Sequence, residues 1–377
     1  MSGIYFHIPF CKQACHYCDF HFSTSLKYKE AMVLTLQKEL ILRKEYLGDE
    51  AIETIYFGGG TPSLLSADEI KRILGTVFEN FRVTENMEIT IEANPDDLSK
   101  EKVDSLRNTP INRFSVGVQS FFEEDLKWMN RAHNAVEADT AIKRLQDSGF
   151  ENITLDLIYG FPLLSDAKWN MNIQKVVDLN IPHLSAYSMT VESKTPLASF
   201  IRKGLQKNMD EQQSAAQFQI LCEKLEEHNY EQYEISNFSF PGKYSRHNSN
   251  YWFGVPYLGI GPSAHSFNGN QRRWNISNNA LYLKSISEGQ VNFESETLSI
   301  PDKINEYIMT TLRTKWGMDL DFMKTKFDHE LIGIIEKSAI AFIENGEIKK
   351  ENNILTLTPK GKIFADRIAS TLFVDKT

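Results

Sequence analysis

Short runs of β-branched and aromatic residues recur through the first half of the chain, and an amphipathic stretch with helical spacing follows each run. The first run covers residues 4–8, and the helical pattern after it covers residues 28–46. Five further strands are predicted at residues 54–57, 88–92, 113–118, 154–158 and 183–189. Strands that alternate with helices form parallel sheets with right-handed crossovers. Six such units within residues 1–200 predict an α/β fold, a partial (β/α)6 relative of the TIM barrel.

The second half of the chain has a different pattern. Residues 201–299 lose the regular alternation and become rich in aromatic, glycine and asparagine residues, so we predict an aromatic-rich extension of the barrel. Helical spacing then returns, with helices predicted at 304–316, 331–344 and 359–372 and a hairpin that turns at Asn352 and Asn353. This order of elements predicts a mainly helical, winged-helix-like domain over residues 300–377.

Glycine, cysteine or polar residues follow most of the predicted barrel strands. They are the cysteines at 11, 15 and 18, the glycines at 58–60, Glu92, Gln119 and Asp156. In TIM-like barrels the functional groups collect at the carboxyl ends of the strands. We therefore expect these residues to share one site.

Composition and charge narrow the class of protein. The 377 residues are 41% hydrophobic and 24% charged, which is ordinary for a globular protein. A formal net charge of −9 argues against a sequence-independent nucleic-acid binder, although basic residues near the C-terminus leave DNA binding there as a weak alternative. The chain shows no secretory signal and no apolar run long enough to cross a bilayer, so we predict a cytoplasmic location, where thiols stay reduced.

Three of the four cysteines form a C-x3-C-x2-C motif at Cys11, Cys15 and Cys18, directly after the first strand. Thiolates are the usual ligands of iron–sulfur clusters, and three of them on a four-iron cluster leave one iron open. An open metal position suits a site that binds a further ligand. Structural zinc, with His16 or His7 as the fourth ligand, is the alternative. Cys222 lies in a predicted helix and is expected to be a core residue.

The motif and its place after a barrel strand resemble the radical S-adenosylmethionine superfamily. The resemblance implies a [4Fe–4S] cluster whose open iron binds the amino and carboxylate groups of S-adenosylmethionine. Reduction of the cluster would then cleave that ligand to a 5′-deoxyadenosyl radical.

The same resemblance implies the residues that contact S-adenosylmethionine. They are Tyr5, Tyr17, Gly59, Gly60, Thr61, Glu92, Gln119, Arg131 and Asp156. Glycines allow close backbone approach to a ligand, an acid and an amide suit ribose hydroxyls, and a guanidinium suits a carboxylate. Helix caps and surface ion pairs remain the alternative roles for the polar members of this set.

The whole chain resembles the branch of this superfamily that contains oxygen-independent coproporphyrinogen III dehydrogenases and haem chaperones. Phe20 stands where the dehydrogenase pattern has a further cysteine, and only ten residues precede Cys11, so we expect no long N-terminal segment. The segment His247, Asn248, Tyr251 and Trp252 matches an H-N-x-x-Y-W motif that the chaperone group associates with haem.

These features favour a haem chaperone that passes haem to acceptor proteins, for which membrane-associated respiratory enzymes are candidates. Coproporphyrinogen decarboxylation is the alternative, and whether the chain catalyses turnover stays open. We expect His247 to ligate haem iron from an aromatic loop that Tyr251 and Trp252 help to form. His133, His183 and His265 remain alternative iron ligands.

Overall fold

A computed structural model describes residues 1–375, and a sheet of twelve strands dominates it. Six parallel strands form its centre: β1 (Ser2–Ile8), β2 (Ile52–Gly59), β3 (Val83–Ala93), β4 (Arg113–Gln119), β5 (Ile153–Tyr159) and β6 (His183–Ser188). The prediction of a six-stranded partial barrel is confirmed. Each strand is one to five residues longer at one or both ends than the pattern predicted, apart from β6, which ends one residue early.

Helices connect these strands on the outside of the barrel. They are α1 (Lys29–Leu42), α2 (Ala67–Asn80), α3 (Lys100–Leu106), α4 (Glu123–Trp128), α5 (Ala135–Asp147) and α6 (Asp166–Asp178). The Ser66 hydroxyl accepts from the Glu69 backbone N–H at 3.2 Å and the Glu69 carboxylate accepts from the Ser66 N–H, so α2 begins with a capping box. Helix α1 ends four residues before the predicted end, because Arg43 leaves the helical conformation at φ −113°.

The strands alternate between an apolar and a polar face, as a half-buried strand in a barrel should. In β2, Ile55 and Phe57 are fully buried in the hydrophobic core, whereas Thr54 and Tyr56 reach polar partners across the barrel interior. The polar side chains that concern function are therefore gathered on the inner face of the barrel.

Residues 201–299 are more regular than we predicted. They contain α8 (Glu211–Glu227), which follows the short α7 (Pro196–Arg202), and then β7 (Glu231–Glu234), β8 (Asn237–Ser239), α9 (Arg246–Trp252), β9 (Tyr257–Ile260), β10 (His265–Phe267), β11 (Gln271–Asn275), α10 (Asn279–Ser287) and β12 (Phe293–Thr297). Strand β9 pairs in parallel with β1, and β8 pairs antiparallel with β6. These short strands, which the sequence pattern did not predict, widen the barrel sheet at both edges.

The remaining residues form a second hydrophobic cluster with its own three-stranded sheet. Its elements are α11 (Ile300–Leu312), β13 (Met318–Asp319), α12 (Leu320–Lys326), α13 (His329–Glu344), β14 (Ile348–Glu351), β15 (Ile354–Leu357), α14 (Pro359–Lys362) and α15 (Ala365–Thr371). Asn352 and Asn353 both have positive φ, at 47° and 61°, so the predicted hairpin turn is confirmed. The single predicted last helix is two helices, because Phe364 has φ −115°.

The second cluster contacts the barrel through the segment after α11. The Arg313 carbonyl accepts from the Ile235 backbone N–H at 3.1 Å, and the Arg313 guanidinium lies 3.4 Å from Glu234. Among residues 1–375, no helix is long and apolar enough to cross a lipid bilayer.

Candidate functional site

A cavity of about 1300 Å³ opens at the carboxyl ends of the six parallel strands. Loops after β1 to β6 form most of its wall, and residues 362–367 line it from the C-terminal part of the chain. Twelve of the predicted site residues line this cavity: Cys11, Cys15, Tyr17, Cys18, Gly59, Gly60, Thr61, Glu92, Gln119, Arg131, Asp156 and Asn248. The fold thus brings most of the predicted cofactor residues together in one place.

The cysteine loop is fixed by contacts with the chain after α4. The His16 ring Nδ1 lies 2.9 Å from the Trp128 carbonyl oxygen, and Asn130 donates through Nδ2 to the Ala14 carbonyl at 2.7 Å. None of the cysteines forms a disulfide. The loop over residues 11–18 is therefore held in a shape that turns three free thiols toward the cavity.

Burial and a neighbouring cation act in opposite directions on the thiols. Burial raises the pKa of Cys18 to about 12 and also raises the pKa of Cys11, so these thiols are protonated at neutral pH. A metal that binds them must displace those protons, and iron does so in iron–sulfur clusters. Arg131 Nη1 lies 3.3 Å from Cys15 Sγ and places a positive charge beside a sulfur. A donor set of three free thiols with a cation next to them fits a [4Fe–4S] cluster.

The histidines of the zinc alternative already have partners. His7 Nε2 lies 2.8 Å from the His21 carbonyl oxygen and its Nδ1 lies 3.3 Å from the Tyr5 hydroxyl. His16 Nδ1 faces the Trp128 carbonyl. Cys222, on α8, packs at the edge of the hydrophobic core, as expected of a structural residue.

The glycine loop after β2 tolerates no side chain. A Cβ on Gly59, which has φ 105°, would lie 2.6 Å from His7 Nδ1, and a Cβ on Gly60 would lie 2.5 Å from the Phe10 carbonyl oxygen. The Gly60 N–H donates to the Ile8 carbonyl at 2.9 Å. This loop therefore packs backbone to backbone against the segment that leads into the cysteine motif, and it leaves room for a ligand above both.

Two buried carboxylates face the cavity from β3 and β5. Burial, together with the charge of Asp156, raises the pKa of Glu92 to about 7, and burial raises the pKa of Asp156 to about 6. Glu92 accepts a 2.9 Å hydrogen bond from the Tyr56 hydroxyl, and Asp156 accepts from the Ser115 hydroxyl at 3.2 Å. Such groups can accept hydrogen bonds from ribose hydroxyls or from an ammonium group.

Arg131 and Gln119 complete the polar side of the cavity. Arg131 Nη2 donates to Asn94 Oδ1 at 2.7 Å and to the Gly117 carbonyl at 2.8 Å, whereas its buried Nε has no hydrogen-bond partner among residues 1–375. Gln119 has φ 67°, a conformation that non-glycine residues rarely adopt and that often marks functional positions. An unpaired guanidinium donor at this place fits a ligand carboxylate.

Tyr5 is the one predicted cofactor residue that does not line the large cavity. It lines a smaller cavity of about 410 Å³ beside the first, together with His7, His21, Tyr251, Tyr257 and His265. The two cavities share Asp19, Phe20, Gly59 and Glu92 in their walls. Phe20 is 67% exposed at this junction.

The predicted haem loop is wrong in its conformation: residues 246–252 form the helix α9. His247 is buried, its Nδ1 lies 2.8 Å from the Thr54 hydroxyl and its Nε2 lies 2.9 Å from the Tyr251 hydroxyl. Its ring also stacks on Tyr56 at 5.0 Å between centroids. Both ring nitrogens therefore face partners within the barrel, so His247 cannot bind iron here without giving up one of them.

The other three residues of the motif are separated by the helix. Asn248 lines the large cavity and Tyr251 lines the small one. The Arg313 guanidinium lies over the Trp252 ring, 5.6 Å from the ring centroid. The buried indole N–H of Trp252 has no hydrogen-bond partner among residues 1–375. The structure thus does not gather the four residues around one opening.

The sequence analysis missed several residues of the cavity wall. They include Tyr56, Asn94, Ser115, Ser185, Tyr187, Arg313 and Lys362. The alternation along β2 and β4 could have identified Tyr56 and Ser115 as inward-facing residues. The residues of the C-terminal part carry no comparable signal, because only the tertiary fold brings them to the barrel.

Comparison with protein families and solved structures agrees with this architecture. Residues 5–175 match the radical SAM superfamily, and residues 298–364 match the HemN C-terminal domain. The solved structure of coproporphyrinogen III oxidase (HemN) from Escherichia coli is similar, with a TM-score of 0.85 over 99% of this chain and 90% of that one. At 22% sequence identity this likeness shows the fold alone.

Curated relatives match the chain along almost its whole length. The heme chaperone HemW of Bacillus subtilis is 32% identical over 98% of both chains. The heme chaperone HemW of Lactococcus lactis is also 32% identical, over 99% of this chain and 98% of its own, and that of Mycobacterium tuberculosis is 31% identical, over 98% and 94%. The chain therefore belongs to the HemW family of the radical SAM superfamily.

Proposed function

We propose that this protein is a haem chaperone, which binds haem and transfers it to acceptor proteins while holding a [4Fe–4S] cluster and S-adenosylmethionine. The observation that supports this most strongly is the similarity, over 98–99% of the chain, to proteins named heme chaperone HemW. Exposed Phe20, at the position where the dehydrogenase pattern has a cysteine, also favours a chaperone. The three reduced thiols suit a cytoplasmic location.

In this proposal the cluster is held by Cys11, Cys15 and Cys18. When bound, it supplies one-electron chemistry and an open iron for S-adenosylmethionine. Arg131 would orient the carboxylate of that ligand through its unpaired Nε, and it keeps its fixed position through Asn94. Gly59 and Gly60 line the cavity, and their lack of a side chain lets this loop pack against the segment that leads into the cysteine motif.

The two carboxylates would bind the ribose end of the ligand. Ser115 holds Asp156 and Tyr56 holds Glu92, so both acceptors have fixed positions before a ligand arrives. Because their pKa values lie near 6 and 7, part of the Glu92 population is protonated at neutral pH and can itself donate a hydrogen bond. Tyr17 would contact the ligand from the cysteine side, whereas Tyr5 would approach it from the small cavity, which shares Gly59 and Glu92 with the large one.

Each of the three predicted parts of the chain would have a separate role in binding the cofactors and haem. Residues 1–200 would hold the cluster and S-adenosylmethionine, residues 201–299 would contribute the haem-associated segment, and Arg313 with residues 362–367 would cover the side of the large cavity. We propose that the last part also contacts the haem acceptor, for which membrane-associated respiratory enzymes are candidates.

Coproporphyrinogen III decarboxylation is the alternative function. The same cofactor residues would serve it, and the large cavity could admit a tetrapyrrole. We favour the chaperone because the relatives that cover the whole chain at 31–32% identity are named as chaperones.

A haem titration followed by a transfer assay tests the proposal. Cluster-reconstituted protein is titrated anaerobically with haem, and we expect a saturable Soret band. The haem-loaded protein is then mixed with membranes from haem-deprived cells, with free haem as the control, and we expect faster transfer from the protein. If no saturable binding occurs while the cluster is intact, the chaperone function is rejected. Formation of protoporphyrinogen from coproporphyrinogen under reducing conditions would then support the alternative.

A further inference from the structure

A histidine that binds haem iron needs a ring nitrogen that a macrocycle can reach. His247 fails this condition because its nitrogens face Thr54 and Tyr251 inside the barrel. His133 and His183 fail it as well, since they are 3% and 0% exposed. Each of those two rings places its Nε2 near an internal partner, at 3.1 Å and 2.8 Å.

The small cavity is lined by three histidines, and among residues 1–375 only His265 has both ring nitrogens without a hydrogen-bond partner. Both ring nitrogens of His7 have partners, and His21 is held through Nε2, 2.7 Å from the Asn279 side-chain oxygen, so that only its Nδ1 remains. His265, on β10, is exposed, and neither ring nitrogen has a hydrogen-bond partner among the described residues. Burial and the charge of Arg272 lower the pKa of His265, which keeps its imidazole in the neutral, ligating form.

The surroundings of His265 suit a flat aromatic ligand with carboxylates. Trp274 stacks on the imidazole at 6.0 Å with an interplanar angle of 25°, and Tyr257 and exposed Phe20 line the same cavity. Arg272 lies on the same face of the β10–β11 hairpin as His265. Arg272 is paired directly opposite Phe267, and Phe267 is two residues from His265 on the same strand. Its guanidinium is 43% exposed and has one carboxylate partner, Glu306 at 2.8 Å, so further donors remain for a propionate.

We infer that His265 ligates the iron of the haem that this protein carries, at the mouth of the small cavity. The inference rests on the proposed chaperone function and adds the ligand residue and its place. The cavity, at about 410 Å³, is too small to enclose a whole haem, so only part of the macrocycle would enter it, and its rim is solvent-exposed at His265 and Phe20. Haem bound there would keep one edge in solvent, which a carrier needs in order to release it to an acceptor.

The H-N-x-x-Y-W segment then has a supporting role. Tyr251 lines the small cavity, its hydroxyl lies 2.9 Å from His247 Nε2, and its ring packs edge-on against Tyr257 at 4.7 Å. His247 therefore fixes the position of an aromatic wall of the haem site. Loss of His247 would loosen that wall without removing the iron ligand.

Soret titration of four proteins tests this assignment: the unmodified chain and its His265→Ala, His247→Phe and His329→Ala variants. His329, exposed at the start of α13, is the matched control. We expect His265→Ala to lose the histidine-ligated spectrum and to bind haem roughly tenfold more weakly or worse. Added imidazole should restore the spectrum in this variant, because it can occupy the vacated position. His247→Phe should bind more weakly but keep the ligated spectrum, and His329→Ala should match the unmodified chain.

The outcomes distinguish a failure of the proposed chaperone function from a failure of the assignment of His265 as the iron ligand. If the unmodified chain does not bind haem, the chaperone function fails and this inference fails with it. If the unmodified chain binds haem and His265→Ala gives the same spectrum and affinity, only the assignment of His265 is overturned. The assignment is also overturned if His247→Phe loses the ligated spectrum while His265→Ala keeps it. An Arg272→Met variant gives a second measurement that does not depend on the iron: it should weaken binding of haem but not of haem dimethyl ester, whose propionates carry no charge.

Discussion

The Tyr56 hydroxyl donates a 2.9 Å hydrogen bond to Glu92, and the same Tyr56 ring stacks on His247 at 5.0 Å. One inward-facing side chain of β2 therefore contacts both the proposed S-adenosylmethionine site and the haem-associated helix α9. A change in the charge of Glu92 acts directly on a residue that supports His247. This contact gives a physical route by which cofactor binding and haem binding could influence each other.

Ionised Glu92 should destabilise the fold above neutral pH. Its pKa is about 7 in the folded chain, mainly because of burial, against an ordinary value near 4.5. The unfolded chain thus releases this proton first, so the free energy of unfolding falls as pH rises from about 4.5 to 7 and stays low above that range. We predict that Glu92→Gln stabilises the ligand-free protein by about 1–3 kcal/mol at pH 8 and changes little at pH 5.

Urea unfolding of both proteins at the two pH values measures this difference. Glu85→Gln, at an exposed position of the same strand, is the control and should show no such pH dependence. An equal effect of Glu92→Gln at pH 5 and pH 8 would mean that its carboxyl is not held near pKa 7.

The backbone contact of the glycine loop should be needed for cluster assembly. A methyl group on Gly60 would lie 2.5 Å from the Phe10 carbonyl, one residue before Cys11, so Gly60→Ala must displace the cysteine loop. We predict that this variant retains much less iron and sulfide after reconstitution. Gly75→Ala is the control, because a Cβ at that helical position meets no atom within 4 Å, and it should keep its cluster and gain about 0.5–1 kcal/mol of stability. Normal iron content in Gly60→Ala would contradict the prediction.

The four cysteines should differ sharply in their effect on the cluster. Cys11, Cys15 and Cys18 line the large cavity, whereas Cys222 lies on α8 with its thiol 3.6 Å from the Gln232 side-chain oxygen. We predict that serine at any of the first three positions abolishes stable cluster binding, as measured by iron content and visible absorbance. Cys222→Ser should bind a full cluster, and loss of iron in that variant would point to a ligand outside the N-terminal loop.

The barrel could be predicted from the sequence because its strands and helices carry distinct hydrophobic periods. The cysteine motif and the glycines after β2 could be predicted because their spacing is local. Strand β9 could not, since its pairing with β1 joins Gly3 to Tyr257 across most of the chain and its four residues carry no strong pattern. The orientation of the His247 side chain could not be predicted from the sequence either, because its partner Thr54 lies 193 residues away.

The same limit applies to the candidate haem site. His247 was selected because it and its neighbours match the H-N-x-x-Y-W motif. A sequence motif carries no information about whether a side chain is buried. His265 has no motif of its own, and its availability follows from the pairing of β10 with β11 and from the small cavity that residues of β1 and β9 help to line. Which histidine can reach a ligand is a property of the tertiary structure.

Arg313 should control how firmly the C-terminal part is attached to the barrel. Its guanidinium lies 3.4 Å from Glu234, which is only 2% exposed, and it also pairs with Asp366 and covers the ring of Trp252. Arg313→Ala would leave the Glu234 carboxylate buried without this cation, which we expect to cost about 1–3 kcal/mol.

The loss should be local to the contact between the two parts, so hydrogen exchange should quicken in α15 and around Trp252 more than in the central strands β2 to β4. Lys349→Ala is the control: Lys349 is 58% exposed and its ion-pair partner is exposed Glu351, so its removal should change stability by less than about 0.5 kcal/mol. Uniform acceleration of exchange across the barrel in Arg313→Ala would mean that Arg313 stabilises the whole fold. Acceleration confined to the C-terminal contact would mean that this part can open the side of the large cavity while the barrel stays folded, as delivery of haem to an acceptor would require.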